Sequence, residues 1–88
     1  VREAQAIAAG RRAADILSDE VFVAMISLLR NAAVDRWASA TTVDARETEH
    51  KRLEAVAYLV SELKALAAQG RRIEAEIARR RDDGEAQR

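Results

Sequence analysis

Eighty-eight residues with no Cys, no Pro and a formal net charge of zero make one domain at most, spanning 1–88. They exclude a disulfide framework and a thiolate metal site, and they disfavour nucleic acid as a partner, because a dedicated binder carries a basic excess. Of the 43 apolar residues that make up 49% of the chain, 20 are Ala, so the core is thin and a chain this short gains much from association.

The opening Val1-Arg2-Glu3-Ala4 has no apolar core of a signal peptide and no initiator Met; it reads as a trimmed, processed or incompletely built start. No stretch reaches the ~18 apolar residues of a membrane span, so no membrane partner is expected. Absence of Cys fits a reducing compartment. Ala, Leu, Arg and Glu dominate, all good helix formers, and no segment alternates with a period of two. The expected fold class is all-α.

Helix A is predicted over about residues 2–17. Ser18-Asp19-Glu20 reads as a helix start, with Ser18 accepting a bond from a free backbone N–H and two acids near the positive helix end. A kink or short break near Ser18 therefore precedes helix B, at about 19–39. Its Val21–Leu29 run has eight apolar residues of nine, more than one neighbour can cover. A loop is expected near Ala40–Asp44. Asp44-Ala45-Arg46-Glu47 has the spacing of a capping box and opens helix C, at about 45–81. Glu47 with Lys51 and Glu76 with Arg80 stand at i,i+4 in the favourable order. Asp82-Asp83-Gly84 is expected to end helix C, leaving a frayed tail over 82–88.

The arms match in length. Folding about Thr42 pairs positions whose numbers sum to about 84: Ile7 with Ile77, Ala14 with Gly70, Phe22 with Leu63, Leu28 with Val56. The expected architecture is an antiparallel helical hairpin, or a three-helix bundle if helix A folds back. Gly10-Arg11-Arg12 and Gly70-Arg71-Arg72 look alike, but the similarity fades within a few residues and reads as coincidence.

The helical wheel leaves a surplus. On helix C, Leu53, Val56, Val60, Leu63 and Ala67 make one seam, and Leu59, Leu66 and Ile73 widen it. On helix B, Val21, Met25, Leu28 and Ala32 make one seam; Phe22, Ile26, Leu29, Ala33 and Trp37 make a second. Phe22, Ile26, Leu29, Trp37, Leu59, Leu66 and Ile73 are the candidate partner-binding residues.

Candidate chemistry is sparse. His50, the single histidine, comes after Glu47-Thr48-Glu49, which is no known ligand spacing; it reads as a solvated surface residue. Trp37 reads as a plug at the open end of the hairpin before it reads as a binding anchor. Arg71, Arg72, Arg79, Arg80 and Arg81 are nearly cancelled by Glu74, Glu76, Asp82 and Asp83 and read as a solvated face. No phosphate-cradling loop, nucleophile elbow or metalloprotease motif is present. No catalytic residue, metal site or cofactor is expected.

Ala13-x-x-Ile16-Leu17-x-Asp19-x-x-Phe22, then Trp37, Asp44-x-Arg46-Glu47 and Gly70, form a spaced pattern over roughly residues 10–70. The chain resembles, on these residues, a family of small proteins of tailed bacteriophages encoded among head and packaging genes. Where that family often has Thr three residues after the Trp, this chain has Ala40. The resemblance implies a phage context, in the virion or the host cytoplasm. The expected function is a non-catalytic structural or interaction subunit that contacts itself, the portal or the capsid. The alternatives are a small oligomer that sequesters a ligand or a host defence factor, and a packaging-related DNA binder.

Overall fold

The computed structural model describes residues 2–86, and the side chains of residues 2–84. The chain forms three helices, α1 (Arg2–Ser18), α2 (Glu20–Ser39) and α3 (Val43–Ala86), with no strand among the described residues. Of the expected frayed tail, residues 87 and 88 lie outside the described residues.

Asp19 separates α1 from α2. It lies extended, with φ −68° and ψ 126°, and its carboxylate accepts a hydrogen bond from the Phe22 backbone N–H at 2.9 Å. This is a helix N-cap, which satisfies one of the free amides of the first turn. Ser18 does not fill that role: its hydroxyl donates back to the carbonyls of Ala14 and Asp15, at 3.1 Å each. The break falls where it was expected, one residue later than its predicted cap.

The second cap also moves. Thr42, not Asp44, opens α3: its Oγ1 accepts from the Ala45 N–H at 3.1 Å, and its carbonyl accepts from the Arg46 N–H. Asp44 falls instead in the first turn, where its charge suits the helix dipole. At the other end α3 runs through Asp82-Asp83-Gly84 to Ala86. One Gly costs a helix about 1 kcal/mol, too little to stop it.

α1 and α2 succeed one another along α3, so α1 does not fold back over the other two. Arg11 Nε meets Glu74 Oε1 at 3.1 Å and Arg80 meets Glu3 at 2.8 Å, which fixes α1 against the second half of α3. Phe22 and Ile26 share a groove with Val60 and Lys64, which fixes α2 against the first half. The result is a long antiparallel hairpin with one broken arm, 71 × 24 × 20 Å. Its radius of gyration is 19.5 Å, against about 12 Å for a compact domain of this length.

The two halves pack differently. Between α1 and α3 the backbones nearly touch at Gly10 and Gly70, both buried. A Cβ on Gly10 would lie 2.8 Å from the Leu66 carbonyl oxygen and 3.0 Å from the Gly70 Cα. Gly70 therefore faces Gly10, Ala6 and Ile7 rather than Ala14, about one turn from the expected register. Gly10 and Gly70, the first residues of the two Gly-Arg-Arg segments, thus stand backbone to backbone. Between α2 and α3 the groove is lined by larger residues, Phe22, Ile26 and Val60.

The inward face of α3 reads Glu49, Leu53, Val56, Val60, Leu63, Ala67, Gly70, Glu74, Ile77, all buried or half-buried. The steps alternate between four and three, the spacing of a hairpin seam. On α2 the inward residues are Phe22, Ile26 and Ala33, with Ala32 of the other stripe half-buried beside them and Ala40 at the turn. The competing seam loses: Val21, Met25 and Leu28 are 70%, 57% and 68% exposed. It would place Asp35 and Ser39 next in line, whereas the Phe22 seam runs on through Ala33 to Ala40. The expected Leu28–Val56 contact therefore does not form, because Leu28 stands some 200° around the wheel from Ile26.

Candidate docking surface

The core is too small to bury the apolar residues this chain carries. Among the described residues, only Ala13, Ile26, Ala33 and Ala67 of the apolar side chains are buried, and no large side chain is fully enclosed. The chain exposes 7053 Å², where a compact monomer of 9.7 kDa exposes about 5,100 Å².

The exposed apolar residues are not scattered. Val23, Ser27 and Arg30 of α2 line one groove with Lys64 of α3, so these residues mark one broad side of the hairpin. At ~100° per residue, Met25 and Leu29 of α2, and Leu59 and Leu66 of α3, turn to the opposite side. Ile16 joins them, since on α1 it stands ~100° around the wheel from Leu17, which lines the first groove; its own recess is shared with Asp15, Asp19 and Phe22. These five are 42–57% exposed. Val21 and Leu28 extend the surface around the outer edge of α2, where they line a recess with Ala24 and Met25. One broad side is thus apolar over its middle, and the other carries Arg30 and Lys64 among its apolar residues.

The expected partner-binding residues divide on this geometry. Leu29, Leu59 and Leu66 lie together on the apolar side, and Ile73, half-buried, stands one heptad beyond Leu66. Ile26 is 8% exposed and belongs to the chain's own seam, and Phe22 is half-buried beside it. Trp37 stands one heptad beyond Arg30, away from this side. It is 49% exposed, so it does not plug the end of the hairpin. Ile16, Val21, Met25 and Leu28 are outside the set that the sequence pattern selects. The sign that Met25 and Leu28 face outward is Asp35, which interrupts their stripe.

Two ion pairs join the arms of the hairpin. Arg11 and Arg80 are paired with Glu74 and Glu3 across the helices, so Arg80 does not pair with Glu76, and the Glu47–Lys51 bridge does not form either. His50 is exposed and meets Glu54 at 2.7 Å one turn on. Glu49 is 7% exposed; one of its oxygens accepts from Arg52 at 2.7 Å and the other, buried, has no partner. Among the described residues no three His, Asp or Glu gather as a metal site, and no helix is long and apolar enough to cross a membrane.

Comparison with protein-family models, with curated proteins and with solved structures finds no match to this chain.

Proposed function

We propose that this chain is a non-catalytic interaction subunit of a tailed-phage particle or of its assembly pathway. It docks on itself, the portal or the capsid through the apolar side of the hairpin. The observation that carries the reading is the grouping of Ile16, Met25, Leu29, Leu59 and Leu66, each 42–57% exposed, on one side of a rod with little core of its own. Soluble chains seldom leave a contiguous apolar surface of this kind uncovered unless a partner takes it. The phage context rests on the sequence pattern that ends at Gly70, whose place opposite Gly10 gives that position a packing reason.

Particles from the genome that encodes the chain, purified and analysed by mass spectrometry, test the reading. The chain is expected in them, or in their assembly intermediates, in a fixed ratio to portal or capsid protein, and Leu59→Glu with Leu66→Glu should remove it. Particles and intermediates that assemble normally and never contain it would overturn the reading.

A further inference from the structure

We infer that the first occupant of the apolar side is a second copy of this chain, paired about a two-fold axis that runs through α2. This rests on the reading of the chain as an interaction subunit and names the partner. Three observations converge on it. The first is area. The chain exposes 7053 Å², roughly 1,900 Å² more than a compact monomer of its mass. A stable dimer takes about 800 Å² from each partner, so one copy on one broad side fits well within the excess. The second is charge. The formal net charge is zero, so two copies meet without net repulsion, and the middle of the face is uncharged and can meet itself, as a two-fold interface requires.

The third is the difference between the two edges. On α3 the outer edge between Leu59 and Leu66 carries exposed Glu62. An axis through α3 would bring Glu62 against its own copy, an unfavourable meeting of like charges in a drying interface. The outer edge of α2 carries Val21 and Leu28 in the corresponding place, 70% and 68% exposed, with Glu20 and Asp35 at its two ends, where a two-fold axis between them sets neither against its own copy. An axis beside Met25 and Leu28 lays α2 on α2, buries that edge and leaves Glu62 at the rim in water. Two hairpins joined this way make a four-helix cross-section, which supplies the core that one hairpin lacks.

Sedimentation equilibrium of the full chain tests the pairing, and cysteine crosslinking tests its place. The chain should sediment at twice its 9.7 kDa at micromolar concentration. Met25→Glu with Leu28→Glu should weaken association at least about a hundredfold with the helical circular dichroism retained. Val23→Glu, on the opposite side, should leave it unchanged. Met25→Cys should form a disulfide between chains under mild oxidation, and Val23→Cys should not. A monomeric unmodified chain at high micromolar concentration would overturn the inference. So would a folded double variant that still dimerises, or crosslinking through Val23→Cys alone. Should the double variant lose its helicity, the crosslinks decide. A monomer would leave the subunit reading standing, because particle composition tests that separately.

Discussion

Gly10 and Gly70 face each other backbone to backbone, and their worth is opposite to that of Gly84. A Cβ on Gly10 meets backbone at 2.8 and 3.0 Å, whereas a Cβ on Gly84 meets nothing within 4 Å. Gly10→Ala gains about 1 kcal/mol of helix propensity but must push two backbones apart, at a typical overpacking cost of about 1–3 kcal/mol. Gly10→Ala is expected to lower the thermal midpoint and Gly84→Ala to leave it level or raise it slightly, as monitored by circular dichroism. Glu49 is the second residue with a clear sign. It occupies the seam position before Leu53, with one buried oxygen unpartnered. Glu49→Met should stabilise the chain, by on the order of 1 kcal/mol, since replacing a poorly satisfied buried charge by an apolar group is often favourable; a lower denaturation midpoint would contradict this. Neither residue's role is legible in the sequence. Gly10 and Gly70 lie 60 positions apart, and only the register of the helices reveals that they meet. Glu49 reads as an ordinary surface acid until the four-three spacing of α3 is traced back from Leu53.

The helices themselves are largely legible, because Ala, Leu, Arg and Glu favour no other state and the break and turn carry their own capping residues. The seam of α3 is legible too, since Leu53, Val56, Val60, Leu63 and Ala67 have the spacing of one face. α2 is not, because its run from Val21 to Leu29 offers two apolar stripes and periodicity alone does not choose between them. The choice depends on the residues that continue each stripe toward the turn: Asp35 and Ser39 on one, Ala33 and Ala40 on the other. The predicted caps differ from the observed ones by one residue at Asp19 and by two at Thr42, for the plain reason that Ser, Thr and Asp compete for the role over a short stretch. The observed bonds separate the candidates at the first break. Asp19→Ala should cost about 1 kcal/mol through the lost bond to the Phe22 amide, while Ser18→Ala should be near neutral, because its hydroxyl returns to carbonyls already inside α1. Equal effects in urea titrations of the two variants would contradict the assignment.

At the scale of the whole molecule, a rod 71 Å long with a seam of Ala, Gly and a few larger residues leaves apolar side chains open to solvent, and the proposed docking is what would cover them. Three of the expected contact residues, Leu29, Leu59 and Leu66, fall on the covering side; Ile26 is drawn inward because the chain's own seam uses the stripe assigned to partners. The side chain that reports on the covering is Met25, the single methionine, 57% exposed in the isolated chain and central to the apolar side. Its oxidation to the sulfoxide by dilute peroxide is readable by intact mass and depends on access of solvent to the sulfur. Docking through this side predicts that Met25 of the unmodified, assembled chain reacts several times more slowly than Met25 of the Leu59→Glu, Leu66→Glu variant, with helicity equal in both. Equal rates in the two, at concentrations where the unmodified chain is assembled, would show that the apolar side stays open and would contradict docking through it.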